Sequence, residues 1–437
     1  MKQYIRLLQN NWNYRFLWLG SVISQLGDWF NLLASAELIS HLTGSGIAIS
    51  YLFLARFVPL FVFSPIAGVF ADRFNRQRIM ILTDLLRAGT VLSLLLINSP
   101  DRIWLLYLLT VVQFSLSALF TPARTAVLSN IVQRRDLVTA NALDSLTWST
   151  MLALGAFLGG VVAAVLGVAA AFIMDALTFL LSAWCISRIV IAGENQTAVI
   201  PTIKPVKSQG WLDFVGGFQY LSGVPFILGV SLAKGAGSLV WGAINVLEIN
   251  YADRIFPLNN PKWVDWLHIE SGASATLGII YVVSGLGTGL GPIVLRRILG
   301  DAYHRMLWAI MVGFVLLSLG ILGLSLSPTL GFFSLATLVR TVGSGVVWVF
   351  SAALLQMLVP DSFRGRVFAF EFAVLTLTQS ISTYLAGFLQ DNWGLSVQRT
   401  TAVFGITGIF VTTIWLIFLL SHLNRIKQLE QQPDTVL

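Results

Sequence analysis

Twelve long apolar runs are the sequence feature that most limits how this chain can fold. A helix needs about 20 mainly apolar residues to cross a hydrocarbon core roughly 30 Å thick. The runs are too long for barrel strands and lack their alternating polarity, so they predict transmembrane α-helices. In chain order, the twelve predicted spans are 15–41, 46–71, 79–99, 103–126, 139–166, 169–191, 222–249, 272–296, 304–326, 330–358, 366–389 and 398–422.

The composition agrees with a membrane protein. Hydrophobic residues make up 56% of the 437 residues and charged residues only 11%, against roughly 25% charged in soluble domains. This excludes a soluble enzyme, a disulfide-rich secreted domain and a disordered chain. The single cysteine, Cys185, allows no intrachain disulfide.

The basic residues between the runs predict the orientation. Of the 27 Lys and Arg, 19 lie in the termini and in alternate loops, and only 4 lie in the remaining loops. Because positive charge favours the cytoplasmic side, both termini are expected in the cytoplasm of a multi-pass inner-membrane protein.

A polar segment divides the runs into six plus six. We expect an all-α membrane protein of two pseudo-symmetric six-helix bundles, 1–191 and 216–423, with a cytoplasmic linker at 192–215 and a tail at 424–437. The loop at 68–78 has a weak counterpart at 291–297. Repeated halves are typical of transporters, whose substrate site lies between them near the bilayer midplane.

Spans 1, 4, 7 and 10 carry polar or aromatic residues three or four positions apart, which places each set on one helix face. Lipid does not solvate such a face, so we expect all four to line a central cavity. Alternatively, the Ser and Thr hydroxyls hold neighbouring helices together. The span 7 stripe also includes Glu248. The candidates for substrate or coupling contacts are Asp28, Gln25, Asn31, Glu37, Gln113, Phe120, Lys234, Trp241, Asn245, Arg340, Trp348 and Glu371.

Carboxylates inside the spans are candidates for carrying protons, because burial disfavours their charged form. Asp28 is the first choice, followed by Glu371 and Glu37. Asp84 and Arg87 are three residues apart and can pair within span 3, so we interpret them as structural. The roles of Asp144 and Asp175 stay open.

The sequence contains no constellation typical of catalysis. The four histidines are scattered and form no metal or triad spacing, and no Walker motif occurs. We therefore predict a protein that is not an enzyme and that needs neither metal nor cofactor.

The segment Gly68-Val-Phe-Ala-Asp72-Arg73-Phe-Asn-Arg76-Gln-Arg78 resembles the G-x-x-x-D-R-x-x-R-[KR] loop of the major facilitator superfamily. The resemblance implies that this motif latches the cytoplasmic side in one conformation. The segment Gly155 to Gly160 resembles the helix-5 glycine motif of the family's exporters, with Gly159 and Gly160 as its closing pair and without its proline. These glycines imply close helix packing.

Shorter segments are similar to the bacterial macrolide and siderophore (enterobactin) exporters of this family. They are Leu42-Thr-Gly-Ser45, Asp84-Leu-Leu-Arg87, Thr121-Pro-Ala-Arg124, Ala140-Asn-Ala-Leu143 and Arg364-Gly-Arg366. The resemblance implies export of a small amphipathic molecule from a bacterial cytoplasm by antiport. We predict a monomer that works by alternating access and is driven by protons. An importer or facilitator of a metabolite, and a lipid flippase or membrane assembly factor, remain alternatives.

Overall fold

A computed structural model describes residues 2–133, 136–190, 211–258, 272–299 and 302–423 of the chain. All regular secondary structure in these ranges is helical. The predicted linker therefore lies outside the described residues up to position 210, as does the predicted tail at 424–437. The domain boundaries stay a prediction.

The first half begins with a short helix, Lys2–Asn10, and continues into the spans. Asn11 and Ser45 cap spans 1 and 2 by accepting hydrogen bonds from the backbone amides of Tyr14 and Ala48, as polar N-cap side chains commonly do. Only two residues join spans 1 and 2, so these helices run antiparallel. Spans 1 to 4 are Trp12–Thr43, Gly46–Arg73, Arg76–Ser93 and Ile103–Ile131.

Spans 5 and 6 follow each other almost without a loop. Span 5 comprises Leu137–Thr150, a π-helical turn Met151–Gly155 and the first part of the helix Ala156–Ser187. Gly167 interrupts that helix with a φ of 81°, a conformation that glycine adopts without the strain of a side chain. Span 6 runs from this interruption to Ser187, which confirms the division predicted between 166 and 169.

The second half opens with the helix Trp211–Gly223, and its first span is broken in the middle. Span 7 consists of Pro225–Trp241 and Ile244–Arg254, with Gly242 between them. A Cβ at Gly242 would lie 3.0 Å from the Gln379 carbonyl oxygen of span 11, so the glycine permits close approach there. Spans 8 to 12 are Gly272–Leu299, Tyr303–Ser325, Leu330–Leu358, Asp361–Asp391 and Val397–Ser421.

Ten of these spans are long and apolar enough to cross a membrane by length and composition alone. Spans 1 and 5 complete the twelve-helix arrangement. Span 1 is 32 residues long, but Gln25, Asp28, Asn31 and Glu37 make it more polar than its neighbours. Because it is largely covered by other helices, the polar side chains need not meet lipid.

The two halves pack against each other through spans 2 and 11, and through span 8 against span 5 and the helix Ala156–Ser187 that continues it. Ser50 of span 2 donates a hydrogen bond of 2.8 Å to the Thr383 carbonyl oxygen of span 11. Gly387 of span 11 lies against the backbone of Gly46 and Ile47, where a Cβ would collide. These contacts bring the halves together on both sides of a central cavity.

Candidate functional site

A cavity of about 400 Å³ lies between the halves, and most of its wall belongs to the second half. Spans 7, 8, 10 and 11 provide the polar and aromatic lining, whereas the first half adds side chains from spans 2 and 5. The lining residues are Phe57, Leu60, Trp148, Trp241, Asn245, Glu248, Tyr281, Ser284, Thr288, Arg340, Thr341, Ser344, Trp348, Phe372, Leu375, Thr376 and Gln379. The volume lies within the range of small-molecule pockets.

Two aromatic contacts cross between the halves at this cavity. The Trp148 and Trp348 rings are nearly parallel, with an interplanar angle of 7° and centroids 6.2 Å apart. The Trp29 and Tyr281 rings are tilted, with centroids 5.3 Å apart. Aromatic rings supply large apolar contact area for a ligand, and both pairs must rearrange if the halves separate here.

The polar centre of the cavity is an ion pair between spans 7 and 10. Arg340 Nη2 donates to Glu248 Oε1 at 2.5 Å and approaches Ser284 Oγ at 3.4 Å. Arg340 and Glu248 are 7% and 2% exposed. Arg340 Nε has no hydrogen-bond partner in the described residues, so this cavity-lining guanidinium retains one free donor.

A second buried ion pair lies behind Trp348. Lys234 Nζ of span 7 donates to Glu371 Oε2 of span 11 at 3.1 Å. The same ammonium group lies 4.8 Å from the centroid of the Trp348 ring, within the range of a cation–π contact. Glu371 Oε1 has no hydrogen-bond partner in the described part of the chain. The pair therefore contacts the cavity wall through one indole ring.

The first half contains a separate buried ion pair, away from the cavity wall. Arg87 pairs with Asp84 of the same helix, as the three-residue spacing predicts, and its guanidinium lies 4.6 Å from the Phe120 ring centroid. Phe120 thus packs on an arginine rather than on the cavity wall. Asp28 of span 1 is partly buried in the same half.

The structure therefore separates the predicted candidates into groups. Trp241, Asn245, Arg340 and Trp348 meet at the cavity. Candidates of spans 1 and 4 are absent from its described wall: Asn31 and Gln113 are buried, while Gln25, Asp28 and Glu37 are partly buried. None of these five side chains lines the cavity as described.

Several cavity residues escaped the sequence-based selection. Glu248 belongs to the polar stripe of span 7, seven residues after Trp241. A charged residue inside a membrane span indicates a functional position, so the sequence contained a signal for Glu248. Trp148, Tyr281 and Phe57 lie in mainly apolar helices, where an aromatic residue facing a cavity cannot be told from one facing lipid.

The predicted packing glycines lie at the contact between spans 5 and 1. A Cβ at Gly155 would lie 2.6 Å from the Trp29 ring, and one at Gly159 would lie 3.0 Å from the Trp29 carbonyl oxygen. Gly160 is buried. The glycines thus hold Trp29 close to span 5, next to its contact with Tyr281.

The predicted latch motif is only partly described. The side chains of Asp72 and Arg73, and the surroundings of Gly68, lie outside the described part of the chain. Arg76 is half-buried, and the Arg78 amide donates to the Asn75 side chain at the start of span 3. The latch role stays a prediction.

The distal face, which is the end of the molecule where spans 1, 7 and 11 end, is closed by polar contacts between the halves. Asp391 of span 11 accepts hydrogen bonds from Ser45 Oγ at 2.5 Å and from the amides of Gly46 and Ile47 at 3.2 and 2.9 Å. The carboxylate therefore caps span 2 of the other half, where the helix N-terminus favours a negative charge. Ser40 and Gly44 make further contacts with Asp253 and Arg254.

Comparison with known proteins shows that the chain is similar to bacterial membrane transporters. Residues 8–207 match the sequence family described as transmembrane secretion effector. The chain is 27% identical to the MFS-type transporter YfiS of Bacillus subtilis, over 95% of this chain and 94% of that protein. It is 23% identical to macrolide efflux protein A of Streptococcus pyogenes, over 89% of this chain and 92% of that protein. A crystallised POT peptide transporter with alafosfalin bound superposes with a TM-score of 0.71 over 96% of each chain, at 16% identity.

The helical architecture and the cavity between its halves are those of a multi-pass membrane transporter. Together with the full-length sequence similarities, they support a transporter of the major facilitator type, similar to bacterial efflux proteins of that superfamily. The predicted fold class and family resemblance are therefore confirmed. No group of three His, Cys, Asp or Glu in the described ranges is placed to hold a metal ion.

Proposed function

We propose that this protein exports a small amphipathic molecule from the bacterial cytoplasm in exchange for protons, by alternating access. The cavity between the halves, lined by aromatic rings around a buried ion pair and covered at the distal face, is the observation that carries the proposal. A cavity with one closed face fits a carrier that exposes its site to one side at a time.

The orientation of the chain identifies the side of the membrane toward which the cavity is closed. The distribution of basic residues supports a cytoplasmic position for both termini, and with that orientation the distal face is the outer one. With the Asp391 clamp intact, the cavity belongs to a state that is shut toward the outside. Efflux then requires substrate to bind in this state and the clamp to open afterwards. The similarity to a macrolide efflux protein supports the same direction.

The chemistry of the cavity wall supports an amphipathic substrate. Trp148, Trp241, Tyr281 and Trp348 offer apolar and ring-stacking contacts, while Arg340 and Glu248 place an ion pair at the cavity wall. A substrate with an apolar body and one oxygen acceptor would use both features. Macrolides and siderophore-like molecules combine these properties. The protein acts as a monomer, because each chain contains both halves of its own site.

Uptake by everted membrane vesicles tests the proposal, with radiolabelled erythromycin as the first probe. An acidic vesicle lumen drives accumulation if substrate leaves in exchange for protons, and a protonophore abolishes it. Asp28→Asn is expected to abolish the response to the pH gradient while leaving exchange of labelled for unlabelled probe. Asp101→Asn, an exposed carboxylate at the distal face, is the matched control and retains the response.

Unchanged gradient-driven uptake in Asp28→Asn would show that Asp28 does not couple protons to transport. Accumulation of metabolites in right-side-out rather than everted vesicles would favour the importer or facilitator. Loss of lipid asymmetry in a deletion strain, with no flux of any probe in the panel, would favour the flippase or assembly factor.

A further inference from the structure

A strip of three aromatic rings with an arginine at each end lies where span 1 begins and span 6 ends. The Trp12 and Phe16 ring centroids are 4.8 Å apart, and those of Phe16 and Trp184 are 5.9 Å apart. The Arg15 guanidinium lies 5.5 Å from the centroid of the Trp12 ring, and the Arg188 guanidinium lies 5.1 Å from that of Trp184. Both distances are within the range of cation–π contacts. We call these five residues the aromatic strip.

Hydrogen bonds between chain segments hold the aromatic strip in place. Asn13 Nδ2 of span 1 donates to the Val190 carbonyl oxygen at 2.7 Å, and the Val190 amide donates to Asn13 Oδ1 at 2.9 Å. Arg15 Nε and Nη2 donate to the carbonyl oxygens of Leu8 and Gln9 at 2.7 and 2.8 Å, which fixes Arg15 to the end of the N-terminal helix. A surface whose groups are already fixed loses less conformational entropy when it binds a ligand.

The aromatic strip faces the surroundings of the protein rather than its core. Trp12 and Trp184 are 57% and 50% exposed, and Arg188 is exposed as well. Within the described residues, the Arg188 guanidinium contacts the Trp184 ring and makes no hydrogen bond or ion pair. Tryptophan is enriched in membrane proteins at the depth of the lipid headgroups. The strip therefore presents positive charge at that depth.

An apolar stripe continues from the aromatic strip along span 6 toward the middle of the membrane. Steps of three or four residues place its side chains on one face of the helix. The stripe consists of the exposed residues Ile173, Leu177, Leu180, Leu181 and Trp184. Because hydrocarbon surrounds a membrane span at this depth, an acyl chain can lie along the stripe while its headgroup stays beside Arg188.

We propose that the aromatic strip and the span 6 stripe bind an anionic phospholipid of the leaflet on the side of the membrane where the chain begins. The phosphate lies at Arg188, whose forked donors match phosphate oxygens, and an acyl chain lies along span 6. Arg15 adds a second positive charge, so a headgroup with a net negative charge is preferred to a zwitterionic one. The site depends neither on the direction of transport nor on proton coupling.

Native mass spectrometry of the purified full-length protein tests the site. The anionic probe is palmitoyl-oleoyl phosphatidylglycerol, and phosphatidylcholine with the same chains is the zwitterionic one. The wild type is expected to bind one phosphatidylglycerol more tightly than any phosphatidylcholine. Combining Arg15→Gln with Arg188→Gln should weaken this binding more than about tenfold, because one basic residue near an anionic surface contributes roughly fivefold. Binding of phosphatidylcholine should not change.

The second half offers a charge-matched control on the same side of the membrane. Arg297 and Arg305 are exposed at the end of span 8 and the start of span 9. Arg305 Nη1 donates to the Leu299 carbonyl oxygen at 3.0 Å, much as Arg15 donates to the helix before it. Among the described residues, no aromatic ring contacts either guanidinium. Combining Arg297→Gln with Arg305→Gln removes the same charge and should leave the tight phosphatidylglycerol bound.

Three results would overturn the proposal. Equal weakening in both double variants would show only a general attraction of anionic lipid to positive charge. Unchanged binding in the variant of Arg15 and Arg188 would place the lipid elsewhere, and equal affinity of the wild type for both lipids would remove the role of charge. If the double variant does not fold, Arg188→Gln alone is tested against Arg297→Gln, with an expected loss of about fivefold.

Two further measurements separate the headgroup from the acyl chain. Glycerol 3-phosphate has the phosphate without the chain and should not displace phosphatidylglycerol; displacement at an equal concentration would show that the span 6 stripe binds nothing. Trp184→Leu should weaken binding of phosphatidylglycerol, whereas Trp104→Leu, which replaces an exposed tryptophan near the start of span 4, should not. The same effect in both tryptophan variants would contradict a site at the aromatic strip.

Discussion

Breaking the ion pair between Lys234 and Glu371 should destabilise the second half more than removing it altogether. Both side chains are almost completely buried, with 8% and 4% of their surface exposed, and Nζ and Oε2 are 3.1 Å apart. Glu371→Gln leaves the ammonium group without a counter-charge, and Lys234→Met does the same to the carboxylate. The double variant leaves no charge at either position.

The size of the effect follows from the geometry. At about 3 Å and an effective dielectric constant of about 20, two unit charges attract each other by about 5 kcal/mol. Removing one partner of a buried pair typically lowers the free energy of unfolding by roughly 3–5 kcal/mol, whereas replacing both partners is often neutral. We therefore expect the double variant to lie within about 1 kcal/mol of the wild type, and each single variant several kcal/mol below it.

The single cysteine provides the assay. Cys185 lies in span 6 of the first half, is 3% exposed and is the only thiol in the chain. A thiol-reactive dye therefore reports unfolding of the whole detergent-solubilised protein, which includes an effect at the pair when both halves unfold together. We expect the wild type and the double variant to have similar melting temperatures, and both single variants to melt at lower temperatures. Single variants as stable as the double variant would show that the pair is solvated, and the reasoning from burial would be wrong.

Two further predictions concern packing and the distal face. Gly159→Ala is expected to lower the melting temperature, because the new Cβ would lie 3.0 Å from the carbonyl oxygen of Trp29, which cannot easily move. Gly89→Ala is the control. No heavy atom lies within 4 Å of its Cβ, so this variant should leave the melting temperature unchanged or raise it. Asp391→Asn weakens charged hydrogen bonds at an exposed position, where each is typically worth about 1 kcal/mol or less, so distances between spin labels at the distal ends of spans 1 and 11 should shift toward longer values. The exposed Asp101→Asn is its control, and identical distance distributions in both variants would contradict a clamp at Asp391.

Local patterns predicted the helices well and their partners poorly. The interruption at Gly167 and the Asp84–Arg87 pair both depend on residues close in the sequence, and both lie where the pattern predicts. The stripe of span 1 has the same periodicity as that of span 7, yet Asp28 is absent from the described cavity wall while Trp241 and Asn245 line it. Periodicity identifies the buried face of a helix but not the helix that covers it.

The sequence by itself determined the all-helical membrane fold, its division into two halves and the identity of the charges that must be buried. It could do so because lipid forces each span to satisfy its own backbone hydrogen bonds and makes an isolated charge costly. The tertiary structure decided which charges meet. Glu248 with Arg340, Lys234 with Glu371, and Asp391 with span 2 each join residues at least 90 positions apart, and such pairings depend on how the helices pack across the whole molecule.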